Sequence, residues 1–166
     1  RRLKSDPVPM EMIWQILEAG TKAANGQNTQ PWSFLVLTEP EAKRFVQQRY
    51  HAVFEKNFGT RRPAPGDSSA STRSIRAALY LADHMHEAPV LLFVCGLRDW
   101  PFAVTDENRM GLAPPSYGST YPCVQNILLA CRGLGLGATL TTLHQLYEAD
   151  LHERFSIPGE YGIVAM

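Results

Sequence analysis

The chain alternates between stretches with apolar residues at helical spacing and short, continuously apolar runs. In the first helical stretch, Met12, Ile13 and Ile16 recur three to four positions apart, and Pro9 stands near the first turn, where its missing N–H costs little. The same spacing predicts helices from Glu39, from Ser71 or Thr72, over 119–134 and over 147–155. Apolar runs predict strands at 34–38, 88–95 and 161–166, and a strand or extended turn at 137–142. Helices outweigh strands, which favours an α+β or α/β sandwich with a small mixed sheet.

The helix predicted over 119–134 is apolar on nearly every side, with Val124, Ile127 and Leu128 among its residues. A helix without a solvated face must be buried all round. In a domain of 166 residues, this favours a second subunit that covers part of the helix.

Two stretches lack regular periodicity. Residues 57–71 are rich in Gly, Pro, Ser and Arg, which predicts a mobile loop of the length that often serves as a lid. Residues 99–115 carry Trp100, Phe102 and Met110, whose rings and thioether either wall a pocket or simply pack. Neither stretch reads as a domain linker, so we expect one domain over 1–166.

Composition narrows the class of partner. Sixteen basic and sixteen acidic residues cancel, so no net field recruits nucleic acid or an anionic membrane. The weakly charged stretch 118–144 is interrupted by Pro122 and by glycines, which makes it too short to span a bilayer. With no signal peptide in view, we expect a cytoplasmic protein whose partner is a small molecule or another protein.

Three cysteines, Cys95, Cys123 and Cys131, sit in apolar runs without Cys-x-x-Cys spacing, which predicts buried, reduced thiols and no zinc. His84 and His86 are two apart on a predicted helix and do not face one site, so we expect solvated side chains and no metal.

A dense group of carboxamides joins the first helix to the first strand, at Asn25, Gln27, Asn28 and Gln30. A carboxamide both donates and accepts hydrogen bonds but cannot act as acid, base or nucleophile. The group therefore suits recognition of a planar, amide-like ligand edge, such as that of a flavin. The alternative is that these are ordinary loop residues, with Pro31 ending the loop before the strand.

The run Asn28-Thr29-Gln30-Pro31-Trp32-Ser33-Phe34 resembles the Asn-x-Gln-Pro-Trp-x-Phe signature of the FMN-dependent nitroreductase family. Residues 128–137 and 155–158 resemble further family segments, in family order. The resemblance implies a nitroreductase-like α+β sandwich with a mostly antiparallel sheet, built as an intertwined homodimer with FMN at the interface. It also implies hydride transfer from NAD(P)H through FMN to a nitroaromatic, quinone or similar acceptor.

The resemblance also assigns roles to residues. The carboxamide loop would contact the flavin, Leu140, Thr141, Thr142 and Leu143 would lie along it with a backbone N–H near flavin N5, and the basic start at Arg1 and Arg2 would hold the phosphate. The alternative for Arg1 and Arg2 is a solvated terminus, which is the usual fate of such a cluster. His144 either borders the substrate pocket or caps a turn. Arg73 and Arg76 are open between a cofactor contact and a surface helix face.

The glycines at 133, 135 and 137 follow a predicted helix and precede an extended segment. A dinucleotide fingerprint needs the reverse order, strand before and helix after, so we interpret these glycines as a helix C-cap.

Several alternatives stay open. A flavin carrier or regulatory relative without efficient turnover, and a cofactor-free interaction domain, compete with the enzyme. The sequence does not distinguish NADH from NADPH or FMN from a deazaflavin. Compared with the family pattern, Asn25 stands where Ser is common, Ala24 stands where Pro is common, and the late segment with its domain-swapped tail is missing, so we expect a trimmed chain.

Overall fold

The structure is a computed structural model and describes residues 3–59, 62–63, 66–67, 69–98 and 117–166. Within these residues the α-helices are α1 (Met10–Thr21), α2 (Pro40–Phe58), α3 (Ala70–His84), α4 (Tyr117–Gly133) and α5 (Glu148–Phe155). The strands are β1 (Trp32–Leu37), β2 (Leu91–Leu97) and β3 (Tyr161–Ala165). Short 3₁₀ turns lie at Gly26–Asn28, Met85–Glu87 and Leu143–Leu146. This mixture of helices and one small sheet confirms the α+β expectation.

The described residues form two compact units. The first comprises Leu37–Leu91 and the described residues before Val8, and the second comprises Val8–Val36 with the described part of Leu92–Met166. The expectation of one domain over 1–166 stays a prediction. The region expected at 99–115 and parts of the loop expected at 57–71 lie outside the described residues.

In the first unit, α2 lies along α3. Gln47 donates to the Ala82 carbonyl at 2.8 Å, and buried Val46, Tyr50 and Phe54 form the inner stripe of α2. Lys43 is also buried there, which the apolar pattern did not predict. Its ammonium donates to the Ala88 carbonyl at 2.8 Å, so the charged end has a partner while the stem packs in the core.

The start of α3 corrects one expectation. The cap is Ser69, not Ser71 or Thr72, because the Ser69 hydroxyl accepts the Thr72 N–H at 3.2 Å. Thr72 lies inside the first turn, where it is buried and donates to the Asp67 carboxylate. Sequence alone could not separate three neighbouring hydroxyl residues that are all good caps.

In the second unit, α1 packs on α4 at a close approach. A Cβ at Gly20 would lie 2.9 Å from Ile127 Cγ1, so only glycine lets the helices come this near. Asn126 donates to the Ala19 carbonyl at 3.2 Å. The core beneath these helices is a cluster of buried apolar side chains that joins helix to sheet: Ile16, Ala23, Trp32, Val94, Cys123, Val124, Ile127, Cys131 and Ala165.

The sheet has the order β1-β2-β3. β2 and β3 are antiparallel, with Cys95 opposite Ile163 and a register shift between Val94 and Cys95. β2 starts three residues later than expected, because Ala88 and Pro89 form the turn that Lys43 holds. Residues 137–142 form no strand, and only Thr141 continues the ladder, by pairing with Met166.

The helix expected to need cover from a second subunit is α4, and the single chain does leave part of it exposed. Leu129 is 60% exposed, and Tyr117 and Tyr121 are also exposed. Cover by a second subunit stays a prediction. Among the described residues, no helix combines the length and apolar character that crossing a membrane requires.

Candidate functional site

The carboxamide loop folds on itself. Its Asn25 side chain works in both directions: Oδ1 accepts the Gln30 N–H at 2.8 Å, and Nδ2 donates to the Ala23 carbonyl at 3.2 Å. The Thr29 N–H closes the 3₁₀ turn on the Gly26 carbonyl at 3.1 Å. Asn25 therefore shapes the loop from inside, and its side chain is engaged there instead of facing outward.

Three of the four carboxamide residues adopt left-handed backbone conformations. The φ angles are 52° at Gln27, 54° at Asn28 and 49° at Gln30. For residues with a Cβ this conformation costs about 1 kcal/mol each. The other described non-glycine residue with positive φ is Ser156, at the end of α5. Strain concentrated in one loop indicates a geometry kept for a purpose beyond folding.

The strained residues are exposed. Within the described part of the chain, the side chains of Gln27, Asn28 and Gln30 make no hydrogen bond. Each offers a carbonyl oxygen and two N–H groups. These neutral donors and acceptors are of the kind that could pair with the alternating carbonyls and ring nitrogens of a flavin edge.

The second candidate segment, residues 140–143, follows the end of α4. Gly135 has a φ of 76° and ends the helix: its N–H bonds the Arg132 carbonyl, and the Leu136 N–H bonds the Cys131 carbonyl at 2.8 Å. These two bonds form a Schellman motif, which confirms the C-cap interpretation of the glycines. The 140–143 segment is partly open, with Leu140 42% exposed and Thr142 exposed.

The 140–143 segment is tied to the sheet at Thr141. The Thr141 N–H donates to the Met166 carbonyl at 2.9 Å, and the Met166 N–H donates back at 3.1 Å. The Thr141 hydroxyl accepts the Leu143 N–H at 3.4 Å. Exposed, uncharged side chains on a fixed backbone suit contact with a flat, neutral ring.

The carboxamide loop and the 140–143 segment lie at opposite edges of the sheet. β1 begins beside the end of β2, where the Leu97 N–H donates to the Pro31 carbonyl at 2.8 Å, whereas Thr141 pairs beyond β3. With about 4.8 Å between neighbouring strands, the separation across the sheet is about 14 Å. The two segments are therefore separate surfaces at the two edges of one sheet.

His144 proves to be a core residue, which corrects the idea that it borders a pocket. It is fully buried, and its Nε2 donates to the Ile163 carbonyl at 2.9 Å. Burial lowers the pKa of His144 from 6.5, although the Ile163 carbonyl, the Glu148 carboxylate and the Thr141 carbonyl oppose that shift. His144 is therefore a neutral donor at the outer edge of β3.

A polar cluster around Glu148 was missed at the sequence level. Glu148 Oε1 accepts from Arg98 Nη2 at 2.7 Å and from the Ile163 N–H at 2.8 Å. His152 Nε2 lies 3.3 Å from the same oxygen. The four-residue spacing of Glu148 and His152 predicts that their side chains are neighbours on one helix. Nothing in the sequence pattern indicates that Arg98, fifty positions away, joins them.

The remaining candidates stay predictions. Arg1 and Arg2 lie outside the described residues. Arg73 and Arg76 are exposed near the start of α3 in the first unit. His84 stacks on Tyr80 with ring centroids 4.0 Å apart, so it is half-buried and not simply solvated.

The thiols are inert. Cys95, Cys123 and Cys131 are free and buried, as expected, and burial raises the pKa of Cys95 and of Cys123 to about 12. A thiol that stays protonated is a poor nucleophile and metal ligand. Among the described residues, no group of three His, Cys, Asp or Glu side chains is placed to hold a metal ion.

A protein-family model described as "Nitroreductase family" matches residues 1–166. The chain belongs to the nitroreductase family. This confirms the resemblance drawn from the motif at residues 28–34.

This nitroreductase-family chain is also similar in sequence to a deiodinase. Iodotyrosine deiodinase of Daphnia pulex is 30% identical over 94 residues, which is 57% of this chain and 30% of that enzyme. The aligned stretch thus spans less than a third of that relative's length.

Solved structures show the nitroreductase-like fold. An oxidised iodotyrosine deiodinase bound to FMN and 3-iodo-L-tyrosine superposes with a TM-score of 0.74 at 21% identity, over 99% of this chain and 79% of the other. An FMN-dependent nitroreductase from Mycobacterium smegmatis in complex with NADPH superposes with a TM-score of 0.69 at 16% identity, over the same shares of the two chains. The expected fold class is confirmed.

Proposed function

We propose that this chain forms the FMN site of a homodimeric oxidoreductase that passes hydride from NAD(P)H through FMN to a flat acceptor such as a nitroaromatic or a quinone. The observation that carries the proposal is the exposed, left-handed trio Gln27, Asn28 and Gln30. Family membership supports it, as do fold neighbours with bound FMN or NADPH.

The chain's own residues would bind and orient the cofactor. FMN supplies the redox chemistry when it is bound. The carboxamides of Gln27, Asn28 and Gln30 would bond the polar edge of the ring, and the 140–143 segment would line the reacting edge without a charge that favours one redox state. Arg1 and Arg2 would hold the phosphate, since a guanidinium fork matches phosphate oxygens.

The separation of the two segments supports the dimer. Because the two segments lie at opposite edges of the sheet, the loop of one copy would complete the site with the 140–143 segment of another. Exposed apolar side chains offer surface for that contact. Trp14 is 65% exposed, and Leu129 and Leu146 are each 60% exposed. The buried free thiols fit a reducing compartment, which favours a cytoplasmic location.

The test is whether the full-length protein binds FMN through the loop. We expect a yellow protein, bleached rapidly by NADH or NADPH in a stopped-flow experiment. Asn28→Ala should raise the FMN dissociation constant about tenfold, as loss of one good hydrogen bond does. Gln48→Ala, which removes an exposed carboxamide from α2, is the control. A colourless protein that ignores added FMN would refute the proposal.

A slow bleach would instead indicate a flavin carrier without useful turnover. Repeating the titration with a deazaflavin tests the other cofactor that the sequence left open.

A second candidate function is reductive dehalogenation. The 30% identity to the Daphnia deiodinase favours it. Presenting the reduced protein with a nitroaromatic and with iodotyrosine, in parallel, separates the two: faster reoxidation by iodotyrosine with release of iodide would replace the nitroaromatic or quinone assignment.

A further inference from the structure

At Ile163, the outer edge of β3 is closed by side chains. On its inner side β3 pairs with β2. On its outer side, the Ile163 carbonyl accepts from His144 Nε2 at 2.9 Å and the Ile163 N–H donates to Glu148 at 2.8 Å. A backbone edge that would otherwise need a fourth strand is thus satisfied by an imidazole and a carboxylate.

His144 comes directly after the 140–143 segment. Upstream, Thr141 holds the segment through its pair with Met166. Downstream, the Tyr147 N–H bonds the His144 carbonyl at 2.9 Å, and the Gln145 N–H bonds the Thr142 carbonyl at 3.2 Å. The His144 imidazole is therefore a side-chain bond that pins the downstream end of the segment to the sheet.

The Nε2 proton of His144 follows from its partner, while burial, which lowers the pKa of the ring, favours the neutral form. A carbonyl oxygen can only accept, so Nε2 must carry the proton. A neutral imidazole anchors the backbone without placing a charge behind the exposed face of the segment. An Arg or Lys anchor at this depth would put a full positive charge there.

We propose that His144 is a positioning residue, which holds the 140–143 segment at the depth where it meets the flavin through the Nε2 bond to the Ile163 carbonyl. The inference rests on the proposed function, since it assumes that the ring lies on this segment. His144 itself touches neither cofactor nor substrate.

The test compares three variants of the full-length protein. His144→Leu removes the donor. His144→Gln carries an amide N–H near the position of Nε2 and should restore the bond. Ile13→Ala is the matched control, because Ile13 is similarly buried, in α1, and its truncation lowers stability without touching the segment.

Three measurements apply to each variant: hydrogen exchange of the Thr141 amide without FMN, the FMN dissociation constant, and the visible spectrum and midpoint potential of bound FMN. We expect His144→Leu to speed exchange and to weaken FMN binding, each by about tenfold, and to shift the spectrum and potential. His144→Gln should stay close to wild type in all three, and Ile13→Ala should leave the spectrum and potential unchanged.

Other results overturn the proposal in distinguishable ways. If wild type binds FMN and His144→Leu matches it in affinity, spectrum and potential, the positioning role is wrong while the function stands. If Ile13→Ala shifts the flavin spectrum as much as His144→Leu does, His144 is structural only. If wild type binds no FMN, both proposals fall. Should His144→Leu not fold, His144→Asn, whose amide is too short to reach the carbonyl, must show the same losses.

Discussion

The carboxamide loop and the 140–143 segment reach their conformations by opposite means. The loop is held from within, by Asn25 and a 3₁₀ turn, and it carries strain at Gln27, Asn28 and Gln30. The 140–143 segment is held from outside, directly by Met166 and, through the imidazole that follows the segment, by the middle of β3. Damage to the loop should therefore stay local, whereas damage to the segment should spread into β3 and α5.

The largest effect should come from Glu148→Ala. It removes the carboxylate that accepts from Arg98 and from the Ile163 N–H in a mostly buried place. Removing one partner of a buried ion pair costs about 3 kcal/mol, and we expect that drop in the free energy of unfolding, measured by urea titration. The exposed Glu153→Ala on the same helix is the control and should change stability little. Equal losses in both variants would mean that the cluster does not fasten β3.

The second effect is a pH dependence that originates at His144. Its pKa is lowered in the folded protein mainly by burial, against the Ile163 carbonyl, Glu148 and the Thr141 carbonyl. Below pH 6.5, His144 is protonated in the unfolded state but still neutral in the folded state. The free energy of unfolding therefore decreases as the pH falls below 6.5, until the pH reaches the lower pKa of the folded state. Above that pH range, His144 does not make the free energy of unfolding depend on pH.

The slope from one proton is at most about 1.4 kcal/mol per pH unit. Urea titrations at a series of pH values should show wild type losing more stability than His144→Gln between about pH 7 and pH 5, the range around the ordinary pKa of histidine. Parallel curves for the two proteins would show that His144 is not the source.

The third effect concerns Asn25. Asn25→Ala removes the acceptor of the Gln30 N–H and should cost about 1 kcal/mol in unfolding free energy. FMN affinity should fall as well, because the left-handed backbone of the loop loses the hydrogen bond that stabilises it. Asn25→Asp keeps the acceptor but loses the Nδ2 donor to the Ala23 carbonyl, so it should retain only part of both. Hydrogen exchange at Thr141 should be unchanged by either variant, and a faster rate there would contradict the local character of the loop.

The smallest expected effect is an increase in the free energy of unfolding, where the earlier variants lower it. Gln27→Gly relieves a left-handed conformation at an exposed residue and should raise stability by about 0.5 kcal/mol, since glycine's greater freedom in the unfolded chain offsets part of the relief. FMN binding should weaken. Gln125→Gly, in the exposed interior of α4, is the control and should lower stability by about 1 kcal/mol. A stability loss at Gln27 would argue against strain in the loop.

Local patterns predicted much of the fold. Helical spacing from Met12 to Gly20 predicted α1, and the continuous apolar run before Cys95 predicted a central strand. The glycines after Arg132 predicted the C-cap, since few residues other than glycine adopt a φ of 76° at low cost. The errors at the starts of β2 and α3 arose because Lys43 and Ser69 decided those boundaries, one through a contact from a distant helix and the other by capping earlier than expected.

In the candidate site, too, some features follow from local sequence and others only from the folded structure. The sequence by itself determined which neutral amides stand together and which segment follows the helix cap, because those properties depend on neighbours along the chain. Only the tertiary structure decided that Asn25 turns inward, that three backbones are left-handed, that His144 is a buried anchor, and that the two segments lie at opposite edges of the sheet. Each of these depends on hydrogen bonds and packing in the folded chain, which no local pattern records.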